Sequence, residues 1–290
     1  MRIQELGPDR TGATSQTDRR EAKWAFGLML AACLAGTSAA QAQSVIAASP
    51  DVTIALGAGN VVTSDHAVAA DNQLGVVALQ SLGAIPESAD VIGYADAGGG
   101  VFLFSLDTTV ALSGGVVASP NDVVAWNGAT HSIRFDGSVQ GVPIGVQIDA
   151  IGTTTNNGLV LSFDTDVSLP GGITAADEDL VKLVGSTYTM VLDGSTVGMD
   201  RALDVDGAQD IGGGYLVSFD TAGTVGAISF QDEDILRHVA GVWTLEFDGS
   251  NADADWGPAD MDALQVPEPA AIAMLAVGIL GIVSLPRHRA

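Results

Sequence analysis

Four short elements recur in fixed order along the middle of this chain, and their recurrence limits the possible folds more than any single residue does. Asp136-Gly137-Ser138 returns as Asp193-Gly194-Ser195 and again as Asp248-Gly249-Ser250, at intervals of 57 and 55 residues. Ser105-Leu106-Asp107, Ser162-Phe163-Asp164 and Ser218-Phe219-Asp220 keep the same period. So do Asp122-Val123-Val124, Asp179-Leu180-Val181 and Asp234-Ile235-Leu236, and finally Asp149-Ala150, Asp206-Gly207 and Asp262-Ala263. Elements that repeat together are a duplicated structural unit, which buries its apolar surface against its neighbours.

Each element reads as a strand or its end. Trp243, Leu245 and Phe247 alternate with polar neighbours, as do Tyr188, Met190 and Leu192, the period-two pattern of a strand buried on one face. Val101–Leu106, Leu159–Phe163 and Tyr215–Phe219 are almost continuously apolar, as strands covered on both faces are. Glycine clusters at 98–100, 171–172 and 212–214 mark turns between them. Four strands per unit of this length fit a β-propeller blade. Three complete units are visible, at about 89–138, 146–195 and 202–250. The leftover ends complement one another: Asp260–Leu264 supplies a first strand, and Asp51–Leu56, His66–Ala69 and Val76–Leu82 supply the other three. The expectation is an all-β repeat protein of about four four-stranded units closed into a small β-propeller, with a β-solenoid or a tandem β-sandwich as the alternative.

Charge narrows the function. Between Gln43 and Val266 there are 30 acidic residues against Arg134, Lys182, Arg201 and Arg237, a net charge near −26. Such a field repels phosphates, so nucleic acid is excluded as a partner. It attracts divalent cations, and short carboxylates in Gly-rich turns are the usual donors to calcium. Asp149, Asp206 and Asp262 begin the first strand of successive units, with Asp204 and Asp260 two residues earlier on the same strand face and Asp90 assigned to an equivalent place. In a closed ring they face one another, which makes Asp149, Asp206 and Asp262 candidate metal ligands and calcium the candidate cofactor. The other reading of these aspartates is that they cap turns, as aspartate beside glycine commonly does. Neither an EF-hand loop nor a glycine-rich nonapeptide repeat is present.

No catalytic motif stands out. His66, His131 and His238 lack any zinc-hydrolase spacing, and there is no nucleophile elbow and no phosphate loop. His131 occupies the repeat position of Tyr188 and Trp243 and reads as a core-lining strand residue. Paired carboxylates leave a glycoside hydrolase open, but no pair can be singled out among so many. Trp126 and Trp256 are the aromatic residues placed in loops, where they would stack on sugars in a lectin-like propeller.

The two ends of the chain concern delivery. Arg19, Arg20 and Lys23 precede an apolar segment and the small residues Ala40-Gln41-Ala42, the layout of a signal peptide for the general secretion route. Leu30-Ala31-Ala32-Cys33 offers a lipidation alternative; Cys33 is the only cysteine, so the mature body has no disulfide. At the other end Val266-Pro267-Glu268-Pro269 leads into an apolar run from Ala270 to Leu285, then Arg287-His288-Arg289. Arginines there hold the end of a transmembrane helix on the cytoplasmic side and put the body outside. The run is shorter than the roughly 20 residues that span a bilayer core, which suits a transient helix better than a permanent anchor. This tail resembles the PEP-CTERM sorting signal of Gram-negative bacteria, with Pro267, Glu268, Pro269, Arg287 and Arg289 as the matching residues. The resemblance, confined to 266–290, implies processing by an exosortase-type enzyme and association with exopolysaccharide or biofilm. The resulting organisation is a signal peptide over 1–42, an acidic β-repeat domain over 43–265 and a sorting signal with its helix over 266–290. The expected protein is an exported, non-enzymatic component of the cell envelope, cell surface or extracellular matrix; a carbohydrate-binding propeller or a glycoside hydrolase is the alternative.

Overall fold

The computed structural model describes residues 45–71 and 76–266; the signal segment and the sorting tail lie outside them. Four antiparallel four-stranded sheets form a four-bladed β-propeller. Blade 1 takes β1 (Ile46–Pro50), β4 (Val68–Asp71) and β5 (Val77–Gln80) from the start of the domain. Its innermost strand, β24 (Met261–Gln265), comes from the far end and pairs antiparallel with β1, Ala47 opposite Gln265 and Ser49 opposite Ala263. Blade 2 runs β6 (Val91–Asp96), β7 (Phe102–Leu106), β10 (Val123–Trp126), β11 (His131–Phe135); blade 3 runs β12 (Ile151–Thr153), β13 (Leu159–Leu161), β16 (Leu180–Val184), β17 (Thr187–Leu192). Blade 4 consists of β18 (Gly207–Asp210), β19 (Gly214–Ser218), β22 (Ile235–Val239) and β23 (Val242–Phe247). The innermost strands β6, β12, β18 and β24 each pack on the next and complete the circle.

Two details differ from the sequence expectation. The second strand of blade 1 is Ile46–Pro50, not Asp51–Leu56, because Ser49-Pro50-Asp51 is itself a fourth copy of the Ser-x-Asp element. Ile54–Leu56 instead forms β2, which pairs with β3 (Val61–Thr63) in a small hairpin. Every blade carries such a hairpin between its second and third strands: β8 (Val110–Ala111) with β9 (Val117–Ala118), β14 (Val167–Leu169) with β15 (Ile173–Ala175), and β20 (Gly223–Val225) with β21 (Ile228–Phe230). A unit therefore holds six strands rather than four.

The repeated polar residues hold strands and turns together. In Asp-Gly-Ser the aspartate caps a one-turn helix: Asp136 accepts from Val139 N–H, Asp193 from Thr196 and Asp248 from Asn251, opening α1 (Gly137–Gln140), α2 (Gly194–Val197) and α3 (Gly249–Ala252). The glycine has no room for a side chain; a Cβ on Gly137 would lie 1.9 Å from the Asn121 carbonyl oxygen. Its N–H is held by the aspartate that opens the third strand. Asp179 accepts from Gly194 N–H and from Ala176 N–H, both at 2.9 Å. Asp122 and Asp234 make the same two contacts in their own blades. Most repeated aspartates are thus occupied by backbone donors.

Apolar side chains fill the space between neighbouring blades. Phe135 of blade 2 packs with Leu161 and Phe163 of blade 3, and Leu192 of blade 3 with Phe219 and Phe230 of blade 4. Leu216 and Phe247 of blade 4 meet Ile46 and Leu264, and Ala263 meets Phe104 and Leu106 of blade 2. Blade 1 therefore joins its neighbours through residues of both β1 and β24. Asp179→Ala would orphan two backbone donors and is expected to cost about 2 to 4 kcal/mol in urea unfolding. Deleting 260–266 opens both cores of blade 1 and leaves β1 paired only with β4, its inner edge bare, so the melting temperature is expected to fall by about 10 °C or more.

Candidate metal centre

Four innermost strands brought to one axis leave little space between them, and the residues at their starts are acidic. One ring of positions holds Asp90, Gln147, Asp204 and Asp260. Each of these four donates its backbone N–H to the aspartate of a Ser-x-Asp element: to Asp107 at 2.7 Å, Asp164 at 2.8 Å, Asp220 at 3.2 Å and Asp51 at 2.8 Å respectively. Two residues further on lies a second ring, Ile92, Asp149, Asp206 and Asp262. Asp90 thus corresponds to Asp204 and Asp260 rather than to Asp149. The next residue in each blade is small, Gly93, Ala150, Gly207 and Ala263. A Cβ on Gly207 would come within 2.4 Å of the Ser218 hydroxyl and 2.7 Å of Leu264, so a larger residue there would force the strands apart.

Asp206, Asp260 and Asp262 each have an oxygen within 4.8 Å of the other two, a group that could hold a metal ion. Of the three candidate ligands read from the sequence, Asp206 and Asp262 belong to this group together with Asp260, which the sequence placed two residues before Asp262. Asp149 stands outside that radius but is 6% exposed, and its Oδ2 has no hydrogen-bond partner. Asp206 Oδ2 and Asp204 Oδ1 are equally shielded and equally unpartnered. The ion pairs among the described residues, His66 with Asp65, Arg201 with Glu178 and Arg237 with Glu246, include none of these aspartates.

Burial and mutual repulsion move their protonation equilibria together. Burial, then the charge of Asp262, pushes Asp260 up to about 8. Burial, then Asp177 and Asp220, raises Asp204 to about 7. Burial, then Asp51 and Asp90, raises Asp262 to about 7. Asp206 and Asp149 are held well above the usual carboxylate range, first by burial, then by Asp260 and by Asp204 respectively. Carboxylates packed this closely cannot all ionise in a low-dielectric space unless a cation joins them. Oxygens lying about 2.4 Å from one calcium are at most about 5 Å apart, a limit that the group of three meets.

His131 is a core-lining residue, 5% exposed, with Nε2 bonded to the Leu82 carbonyl and Nδ1 to Ser113. Trp126 and Trp256 are not loop aromatics. Trp126 lies in β10 against His131 at 4.6 Å, and Trp256 is 1% exposed. The sorting-signal residues Pro267, Glu268, Pro269, Arg287 and Arg289 lie outside the described residues, and no helix within the described residues is long and apolar enough to cross a membrane.

No family model matches the chain, and no curated protein matches it. Solved structures do match at low identity. Ycf48 bound to D1 peptide is 8% identical at a TM-score of 0.30, with 66% of this chain and 53% of that one covered. A chain of a nidogen/laminin complex is 9% identical at a TM-score of 0.34, with 74% and 84% covered. The protein spans about half the length of the Ycf48 chain.

The raised equilibria set a pH dependence for the cation-free protein. A carboxylate whose folded value lies above its unfolded value contributes stability that is complete below the unfolded value, near 3.8, and lost as pH rises through the folded values of about 7 to 8. In EDTA the melting temperature is therefore expected to fall steadily between pH 5 and pH 8.5, followed by circular dichroism.

Proposed function

We propose that this protein is an exported, non-enzymatic component of the cell surface or extracellular matrix whose propeller is braced along its axis by calcium. One observation carries the reading: Asp206 from the innermost strand of blade 4 and Asp260 and Asp262 from that of blade 1 bring oxygens within 4.8 Å of one another on the axis, and the buried Oδ2 of Asp206 has no hydrogen-bond partner among the described residues. A cation there replaces repulsion between strands with coordination from several of them at once. Calcium suits the site better than magnesium, because it accepts irregular sets of six to eight oxygens, whereas magnesium demands a near-ideal octahedron. Extracellular fluid supplies calcium at concentrations where weak sites fill.

The address comes from the ends of the chain. The signal-peptide layout over 1–42 and the tail resembling a PEP-CTERM signal support export by the general secretion route, a passage through the membrane on the C-terminal helix and processing by an exosortase-type enzyme. The same resemblance supports association with exopolysaccharide or biofilm. A net charge near −26 over the body keeps such a protein soluble and makes divalent ions its natural bridge to other polyanions.

Melting curves in EDTA, in 5 mM calcium, in 5 mM magnesium and in sodium chloride of matched ionic strength test the axial cation. Calcium is expected to raise the transition by about 3 to 6 °C more than magnesium or salt. The Asp206→Asn, Asp260→Asn, Asp262→Asn triple variant should melt higher than the parent in EDTA at pH 8, since its repulsion is gone, and should lose the calcium-specific part of the response. Equal responses to all three additions would leave the aspartates as solubilising charge only.

A further inference from the structure

Two grooves in this propeller occupy the same place in successive blade junctions, and the repeats allow them to be compared residue by residue. Between blades 2 and 3 the groove holds about 270 Å³ and is lined by Arg134, Asn156, Asn157, Leu159 and Leu183, among others. The guanidinium of Arg134 reaches across it to the Asn157 carbonyl at 2.7 Å. Between blades 3 and 4 the volume is about 550 Å³. Here Val191 replaces Arg134, both residues standing at the β-bulge of their outermost strand, so the bridge is missing. Gly212 and Gly213 replace Asn156 and Asn157. Tyr215 and His238 face each other across β19 and β22 where Leu159 and Leu183 face each other across β13 and β16. Lys182 lines the larger groove where Ala125 is its counterpart.

Three exchanges toward polar or aromatic side chains and the loss of one bridge all enlarge or functionalise the same junction. Packing does not call for them, since the leucine pair fills the smaller groove. His238 is 9% exposed, its ring lies 4.5 Å from that of Trp243, and its Nε2 is buried without a hydrogen-bond partner. His131, which packs against Phe104 and Trp126, has both ring nitrogens engaged. A buried, unsatisfied ring nitrogen in a residue that lines a groove is a group that a bound ligand can satisfy.

We propose that the groove between blades 3 and 4 is a binding site for a neutral saccharide unit. The inference names a ligand class for the polysaccharide association proposed above and does not depend on the axial cation. Lys182, Tyr215 and His238 offer donors. Asp193 and Asp210 line the same groove, each holding a local turn through Oδ1 and retaining acceptor capacity on Oδ2. A sugar ring presents hydroxyls that donate and accept together, and its C–H face lies well on a half-buried tyrosine. The two wall carboxylates and the charge of the whole body oppose uronates and sulfated sugars. The volume lies within the range of small-ligand pockets.

The test is a printed array of neutral and uronic-acid oligosaccharides, then calorimetric titration of the neutral disaccharide that scores highest. Val191→Arg, which recreates the bridge of the smaller groove, is expected to weaken that binding at least tenfold while the calcium-dependent melting shift stays as in the parent. Should Val191→Arg prove unfolded by circular dichroism, the Tyr215→Leu, His238→Leu variant, which restores the leucines of the other junction, decides in its place with the same expected loss. An array on which no neutral sugar binds, binding confined to uronic-acid oligosaccharides, or undiminished binding by the folded variant would each overturn the assignment. None of these results bears on the calcium response, which is read from the same samples without sugar.

Discussion

The ladder between β1 and β24 joins the two ends of the repeat domain, and the axial site exists only because that ladder forms. Asp260 donates its backbone N–H to Asp51, 209 residues away in sequence, and in doing so brings Asp260 and Asp262 to face Asp206. The repeat domain gains little from exposed ion pairs, because Arg134, Lys182, Arg201 and Arg237 are its only lysines and arginines. Its cohesion comes instead from apolar cores between blades and from aspartates that accept backbone N–H groups. Ring closure makes those contacts mutual: each blade is clamped by two neighbours, and no long innermost edge is left for another chain to pair with.

The aspartates divide into two populations with opposite energetic roles. Those of the Ser-x-Asp, Asp-Gly-Ser and third-strand elements accept from backbone donors that would otherwise be unsatisfied at turns. Those at the starts of the innermost strands have few donors available and push against one another. Quadruplication explains both. A turn contact is local and works equally well in every copy, whereas a residue on the axis meets its own copies and is repelled by them. Gln147 in the first ring and Ile92 in the second remove one charge from each.

Much of the fold could be read from the chain because its information is periodic. The Ser-x-Asp and Asp-Gly-Ser elements mark strand ends, and the mismatched leftovers at the two ends imply a shared blade. The second strand of blade 1 is Ile46–Pro50 and not Asp51–Leu56, and the sequence hides this because Ser49-Pro50-Asp51, the fourth copy, carries a proline where Ser105-Leu106-Asp107 has a leucine. The small hairpins leave no pattern in the sequence because strands of two or three residues have too few positions to show alternation. Asp206 and Asp262 could be read as axial once a ring was assumed; that Asp260 completes the close group, and that Asp149 lies apart from it, depends on how far each strand start approaches the axis, which sequence spacing does not encode. The groove between blades 3 and 4 was signalled by Val191, Tyr215 and His238 standing where the previous copy has Arg134, Leu159 and Leu183, but only the bulge geometry shows that those positions share one wall.

The strand that closes the ring is also the strand by which the domain continues toward its tail, and this gives the molecule a direction of mechanical strength. Val266 follows β24 directly, and its backbone N–H and carbonyl are both gripped by the Gln209 side chain. A pull between the two ends of the domain would start at the Ala47–Gln265 pair, where both strands leave together, and would peel the ladder one rung at a time. The ring is therefore weakest against tension between its own two ends, where each rung bears the load alone.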